Sequence, residues 1–321
     1  MRTEHKSRVI KILDDLNFNL ERGKSLGVVG ESGCGKSMMA LAIMGLLPEN
    51  MIVSGEVQLK RNLLQLTEKE LCLIRGNRIS MIFQEPMTAL NPVLPIGIQV
   101  SESIRLHKNL SRHQAQKNAS KVLDRVGLPK QKFSRSLYPH QLSGGQRQRV
   151  IIAIAMACGP ELIIADEPTT ALDVTIQEQI LNLISELVFE ENMSLILITH
   201  DLGIVAENTD EMIVMYSGKI VECGPTKTIF EKLAHPYTRG LFKSIPDLAH
   251  TNGGQNSASE FYTKKRLSTI PGRVPEFWDT SKGCSFADRC SRAQKNCHLN
   301  LPEIIQISKN HSVSCFLPYE E

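Results

Sequence analysis

The stretch of sequence that decides the fold is Gly30-Glu31-Ser32-Gly33-Cys34-Gly35-Lys36-Ser37. It matches the phosphate-loop pattern G-x-x-x-x-G-K-[ST], in which glycines let the backbone curl and direct successive N–H groups at phosphates. The flanking residues fit, because residues 26–29 are mostly apolar as in a buried strand and residues 38–44 have the pattern of a helix. We therefore expect a nucleoside triphosphate to bind where this strand turns into this helix.

Three residues of the loop have specific expected roles. Lys36 would reach the β- and γ-phosphates, and the Ser37 hydroxyl would bind Mg²⁺. The start of the following helix adds partial positive charge on the phosphate side. Cys34 occupies a variable position of the motif, and we interpret it as a small side chain that fills space.

The composition bounds the class of protein. The chain has 321 residues with 41% hydrophobic and 22% charged residues, enough for one large or two modest globular domains. A net charge of only +3 gives no argument for a nucleic-acid partner. Residues 1–6 lead into no apolar core of a signal peptide, and no apolar run approaches the roughly 20 residues that span a bilayer. We therefore expect a cytosolic chain that reaches a membrane only through partner proteins.

Strand and helix patterns alternate from residue 8 to about residue 240, which is typical of an α/β domain with parallel strands. The clearest strands are residues 78–83, 162–165 and 194–199, and a hairpin covers residues 212–222. Residues 250–259 have the composition of a flexible linker. We predict an α/β nucleotide-binding domain over residues 1–240, with a helical subdomain at about 85–160, and a small, loop-rich, cysteine-containing extension over residues 241–321.

An acidic pair, Asp166-Glu167, follows the apolar segment 162–165. In a phosphate-loop protein this is the second required element, because Asp166 would hold Mg²⁺ and Glu167 could polarise the attacking water. An acidic pair that only caps a strand is the alternative interpretation.

A second anion-binding helix start precedes the acidic pair, in the stretch Leu142-Ser143-Gly144-Gly145-Gln146. Ser143 is a favourable N-cap, and small residues after it leave backbone N–H groups accessible to an anion. An ordinary capped helix is the alternative, but it does not explain a second such helix start so close to the acidic strand.

Together these motifs resemble those of ABC ATPases over residues 10–240. Residues 142–146 match the family's signature pentapeptide, Gln84 its Q-loop, Ala171-Leu172-Asp173 its D-loop, and His200 its switch histidine. The resemblance implies two such domains paired head to tail around two ATP molecules. The residues that would then contact the ATP of the partner are Ser143, Gly144, Gly145 and Gln146.

The same resemblance implies roles for the remaining site residues. Glu167 would be the base, His200 would order the γ-phosphate and water, and Gln84 would contact Mg²⁺ and link the site to a permease. Mg²⁺ would thus be held by Ser37, Asp166 and Gln84, while Lys36 neutralises phosphate charge.

A finer resemblance is to the ATPase subunits of dipeptide and oligopeptide importers. The segments that carry it are residues 83–92, Tyr138-Pro139-His140-Gln141, His235-Pro236-Tyr237-Thr238 and Ile270-Pro271-Gly272. It implies a peripheral subunit at the cytoplasmic face of the inner membrane, with two transmembrane permeases, a second ABC ATPase and an extracytoplasmic substrate-binding protein. Nickel and glutathione importers look similar, and a soluble ABC ATPase without a transport role is a further alternative.

The start of the chain departs from the family pattern. Members usually carry an extra strand before the segment at residues 9–16, and an aromatic residue near Val9 or Ile10 that stacks on adenine. Here only a few residues precede that segment, so the extra strand is expected to be missing, and no aromatic residue occurs before Phe18. Either the start is truncated or misassigned, or adenine is held by apolar contact alone.

Four of the eight cysteines crowd the C-terminal segment, at Cys284, Cys290, Cys297 and Cys315. Four thiolates in a short segment can hold Zn²⁺ or an iron–sulfur cluster, and four unrelated buried thiols are the remaining alternative. The tight C-x2-C pairs that zinc sites favour are absent from this spacing. The importer resemblance implies a [4Fe–4S] cluster here, so we expect a structural cluster, with zinc as the alternative.

Overall fold

An eight-stranded sheet carries the nucleotide-binding motifs. The computed structural model describes residues 1–5, 8–170, 172–244, 269–275 and 282–319. The strands are β1 Arg2–His5, β2 Arg8–Lys11, β3 Ser25–Val29, β4 Met51–Ile52, β5 Gln58–Leu59, β6 Arg61–Asn62, β7 Ile79–Ile82, β8 Leu162–Asp166, β9 Ser194–Ile198, β10 Glu211–Tyr216, β11 Lys219–Pro225, β12 Ile304–Ser308 and β13 His311–Ser314.

The strand order of the large sheet is β12-β13-β11-β10-β3-β9-β8-β7. The five strands from β10 to β7 run parallel, whereas β11, β13 and β12 join by antiparallel pairing. Strands β7 and β9 are buried along their whole length, as expected for strands that helices cover on both faces. This is the predicted α/β sheet, with the phosphate-loop strand β3 in its interior.

Eleven helices are found in the described ranges. They are α1 Lys36–Met44, α2 Glu68–Ile74, α3 Pro86–Ala89, α4 Ile96–Lys108, α5 Arg112–Arg125, α6 Gly144–Met156, α7 Val174–Glu190, α8 Leu202–Asn208, α9 Thr226–Lys232, α10 Pro236–Lys243 and α11 Lys295–Leu299. None of these helices has the length and apolar character needed to span a bilayer.

Helices α4, α5 and α6 pack on one another between β7 and β8 in the chain. Their shared core includes Val100, Ile104, Leu123 and Val150, each almost fully buried. Helix α5 begins with a capping box, because the Ser111 hydroxyl accepts from the Gln114 N–H and the Gln114 side chain accepts from the Ser111 N–H. This group of helices falls within the range expected for a helical subdomain.

The first strand corrects an expectation about the N-terminus. Strand β1 precedes β2, pairs antiparallel with both β2 and β4, and forms with them a separate three-stranded sheet. The expectation of a missing extra strand is therefore wrong. The sequence did not indicate β1, because residues 2–5 show no apolar alternation. The strand is held by its backbone pairing and by a hydrogen bond from the Met1 ammonium to the Leu13 carbonyl (2.7 Å).

The C-terminal extension is joined to the large sheet. Strand β13 pairs with β11, so the β12–β13 hairpin lengthens the sheet at one edge. A core cluster that includes Tyr216, Tyr237 and Phe286 packs the extension against β10. The predicted linker at residues 250–259 lies outside the described residues, and the domain boundary near residue 240 stays a prediction.

Candidate nucleotide-binding site

The phosphate loop connects β3 to α1, as predicted. Gly30, Gly33 and Gly35 have φ angles of 154°, 81° and 105°, which side-chain-bearing residues rarely adopt. A Cβ atom on Gly30 would lie 2.3 Å from the Met215 carbonyl oxygen, so no larger residue fits there. Cys34 is fully buried behind the loop, whereas Ser32 is exposed. The glycines thus give the loop the curl on which phosphate binding depends.

Lys36 places a positive charge inside this loop. Its side chain is buried, and its ammonium donates to the carbonyl oxygens of Gly30 (2.8 Å) and Glu31 (3.1 Å). Both acceptors are neutral, so the charge has no carboxylate partner in these bonds. An ammonium held this way, beside the N-terminus of α1, suits a polyphosphate.

Asp166 and Ser37 supply oxygen atoms suited to Mg²⁺. Asp166 ends β8 with its side chain buried, and its Oδ1 atom has no hydrogen-bond partner within the described part of the chain. Burial raises the pKa of this carboxyl, and a hydrogen bond with the Ser37 side chain opposes that shift. Carboxylate and hydroxyl oxygens are the ligands that Mg²⁺ prefers, so an unpartnered buried carboxylate oxygen fits this ion.

The Glu167 carboxylate contacts three other side chains of the site. Its Oε2 accepts from the Gln84 side-chain amide (2.9 Å) and from the Thr170 hydroxyl (2.9 Å). Its Oε1 lies 3.5 Å from His200 Nδ1. These side chains meet because β7, β8 and β9 are parallel neighbours whose carboxyl ends share one edge of the sheet. Sequence reasoning found three of the four residues and missed Thr170, whose only signal is its position three residues after Glu167.

The signature residues form a different surface. Ser143 caps α6, where its hydroxyl accepts from the Gln146 N–H (3.3 Å) and the Gln146 side chain accepts from the Ser143 N–H (2.9 Å). Ser143 and Gly144 are exposed, and a Cβ on Gly145 would lie 2.9 Å from Ile176 of α7. None of the hydrogen bonds described for residues 143–146 reaches the phosphate loop. Of the expected D-loop, Ala171 lies outside the described residues and Asp173 caps α7.

The four C-terminal cysteines line one small cavity of about 20 Å³, together with His235 and Phe286. Within the described ranges, no three or more His, Cys, Asp or Glu side chains are arranged to hold a metal ion. Burial raises the pKa of the Cys284 and Cys290 thiols, and raises that of Cys315 to about 11. Because no such group of ligands is found among the described residues, the prediction of a [4Fe–4S] cluster is wrong, and the zinc alternative meets the same finding.

Comparisons with known proteins decide the family. An ABC transporter family matches residues 13–170, and the oligopeptide/dipeptide transporter C-terminal region matches residues 221–297. A probable peptide ABC transporter ATP-binding protein of Sinorhizobium fredii is 46% identical over 96% of this chain and 90% of its own length. The chain belongs to the ABC transporter ATP-binding proteins. The oligopeptide transport ATP-binding protein AppD of Bacillus subtilis is 45% identical to this ABC ATPase over 98% of this chain and 93% of its own length. The oligopeptide transport ATP-binding protein OppD of Salmonella typhimurium is 44% identical over 97% of this chain and 90% of its own length.

Solved structures agree with this assignment. The ATP-binding cassette MJ0796, a dimer bound to ADP and Pi in a post-hydrolysis state, has a TM-score of 0.63 and 29% identity. The structural match covers 70% of this chain and 95% of MJ0796. CbiO1 from Clostridium perfringens has a TM-score of 0.59 and 27% identity, over 72% of this chain and 88% of its own. The predicted ABC ATPase fold and the predicted ATPase activity are confirmed.

Proposed function

We propose that this ABC ATPase powers the import of dipeptides and oligopeptides. The observation that carries the proposal is the match to the oligopeptide/dipeptide transporter C-terminal region, beyond the ATPase motifs that all cassettes need. Relatives at 43–46% identity over nearly the full length are named for peptide transport. The match over residues 221–297 is thus the evidence that favours peptides over other solutes as the transported substrate.

The contacts of Glu167 support its role as general base. Its carboxylate would take a proton from the attacking water while the water oxygen bonds to the γ-phosphorus and the bond to the β-phosphate oxygen breaks. Hydrogen bonds from Gln84 and Thr170 fix Oε2, which leaves Oε1 on the side of His200. His200 in turn would orient the water and the γ-phosphate.

Lys36, Ser37 and Asp166 would hold the phosphates and the Mg²⁺ ion. The Lys36 ammonium would turn from the loop carbonyls to the β- and γ-phosphates. Ser37 and Asp166, with Gln84 beside them, would hold Mg²⁺. When bound, this ion neutralises charge on the phosphates.

The exposed start of α6 supports pairing with a second ABC ATPase. Ser143 and Gly144 are exposed, and none of the hydrogen bonds described for residues 143–146 reaches the phosphate loop of the same chain. Val174, at the start of the adjacent helix α7, is 83% exposed. In the proposed pair this surface faces the ATP that the partner holds in its phosphate loop.

The segment around Gln84, residues 83–93, supports docking on membrane permeases. Phe83 and Val93 are exposed apolar side chains on either side of α3, and Val93 is 75% exposed. The hydrogen bond from Gln84 to Glu167 joins this segment directly to the proposed base. We infer that one of the two permeases docks on this segment at the cytoplasmic face of the inner membrane, and that an extracytoplasmic binding protein delivers the peptide to the permeases from the opposite side.

Uptake in cells tests the proposal. A strain that lacks the gene should lose uptake of labelled peptides, and the wild-type gene should restore it while Glu167→Gln should not. Unchanged peptide uptake combined with lost uptake of nickel or glutathione would contradict the peptide assignment and leave the ATPase assignment standing.

A further inference from the structure

An ion pair joins the phosphate loop to the C-terminal extension. The Arg289 guanidinium donates two hydrogen bonds to the Glu31 carboxylate, from Nη1 to Oε2 (2.6 Å) and from Nη2 to Oε1 (2.9 Å). The two residues are 258 positions apart in the chain. The Arg289 side chain is only 5% exposed, so solvent screens this pair weakly.

Further contacts fix the Arg289 side chain. Its Nε donates to the Pro271 carbonyl (2.8 Å), and Nη1 also lies 3.3 Å from the Tyr216 hydroxyl. Gly272 has a φ of 77°, and a Cβ there would lie 3.3 Å from the Arg289 side chain. The Ile270-Pro271-Gly272 motif, which the ATPase chemistry does not use, therefore contacts this arginine and helps to fix its side chain.

A second motif, just ahead of the predicted extension, contacts the backbone of Glu31. The Glu31 N–H donates to the Tyr237 hydroxyl (2.8 Å), and Tyr237 belongs to the motif His235-Pro236-Tyr237-Thr238. The Tyr237 ring packs within 4.7 Å of Tyr216 and 5.3 Å of Phe286, between ring centroids. The carboxylate and the backbone N–H of Glu31 are thus bonded to groups outside the phosphate loop, whereas its carbonyl oxygen accepts from Lys36 within the loop.

We propose that Arg289 is a positioning residue of the ATP site, which holds the phosphate loop through Glu31 and neutralises its carboxylate. Without the guanidinium, the loop would present an unpaired negative charge close to a triphosphate. The guanidinium suits this task because its planar fork binds both carboxylate oxygens at once. The proposal concerns ATP binding and holds whichever solute the transporter carries.

Binding of Mg²⁺ with the non-hydrolysable ATP analogue AMP-PNP to the full chain, measured by titration calorimetry, tests the proposal. Arg289→Met should weaken binding by about tenfold, because it leaves Glu31 unpaired. Glu31→Gln loses the ion pair but leaves no unpaired negative charge, so it should weaken binding by about threefold, and the double variant Glu31→Gln/Arg289→Met should bind more tightly than Arg289→Met. A purely structural arginine would lower the unfolding temperature without this rescue.

Arg292→Met is the matched control, because Arg292 lies three residues further on and stacks on Tyr319 (4.3 Å) instead of the loop. It should bind like wild type. Arg289→Lys keeps the charge without the fork, should bind about threefold more weakly, and decides the matter if Arg289→Met does not fold. Wild-type affinity in Arg289→Met or in Arg289→Lys, no rescue in the double variant, or an equal loss in Arg292→Met would overturn the proposal.

Discussion

At the scale of single residues, the site depends on where parallel strands end. Glu167 follows β8 with a φ of 45°, an unfavourable angle for a residue with a side chain. Such strain persists where the surroundings over-determine it, and here bonds from Gln84 and Thr170 fix the carboxylate. The strained backbone therefore belongs with the proposed catalytic role of Glu167.

Removal of the Lys36 ammonium should abolish most nucleotide affinity. Lys36→Ala is expected to raise the Kd for MgATP by roughly 10- to 100-fold, the range for a lost hydrogen bond to a charged group. Lys24→Ala is the control, because Lys24 is an exposed lysine that pairs with Asp210. Equal affinities of the two variants in a binding titration would count against the phosphate-loop assignment.

Local motifs made these residues predictable, and distant contacts did not. Asp166, Glu167 and His200 each follow an apolar strand, so position alone indicates them. The Arg289–Glu31 pair spans 258 positions, and no short pattern signals it. The cysteine prediction failed because spacing along the chain does not say whether the four side chains are arranged around a metal ion.

At the scale of secondary-structure elements, one buried carboxylate joins the extension to the sheet. Glu222 of β11 is fully buried and accepts from the Ala234 N–H (3.0 Å) and the His235 N–H (2.9 Å) ahead of α10. Its Oε1 also lies 2.9 Å from His311 Nε2 in β13. A sheet edge, a helix start and the terminal hairpin therefore depend on this side chain.

Glu222→Gln should destabilise the chain, because the amide places a donor where backbone N–H groups need an acceptor. We expect a loss of about 1–3 kcal/mol in the free energy of unfolding, measured by denaturant titration. Glu231→Gln is the control, since its ion pair with Lys227 on α9 is exposed. A loss in Glu222→Gln no greater than in Glu231→Gln would show that the buried bonds contribute nothing.

At the scale of the whole molecule, the C-terminal extension is packed into the cassette. Its aromatic cluster contacts β10, its hairpin lengthens the large sheet, and its arginine reaches the phosphate loop. His235 lies within this junction, fully buried, with Nδ1 accepting from the Tyr237 N–H (3.0 Å). Burial lowers the pKa of His235 from 6.5 to about 4.

This lowered pKa gives the whole chain an acid-sensitive stability. Between pH 6.5 and about 4 the unfolded chain binds a proton that folded His235 does not, so stability should fall as the pH drops through this window. His235→Asn can still cap α10 and should flatten the slope between pH 6.5 and 5 in thermal unfolding. His113→Asn, at an exposed histidine, should leave the slope unchanged; an unchanged slope in His235→Asn would refute the assignment.

We propose that the shared edge of β7, β8 and β9 hydrolyses ATP, with Glu167 as base. The most direct measurement is ATP turnover by Glu167→Gln in membranes that contain the assembled transporter, with MgATP binding measured in parallel. Binding should persist, because the phosphate loop is intact, while turnover should fall by at least about 100-fold. Wild-type turnover in Glu167→Gln would contradict the account.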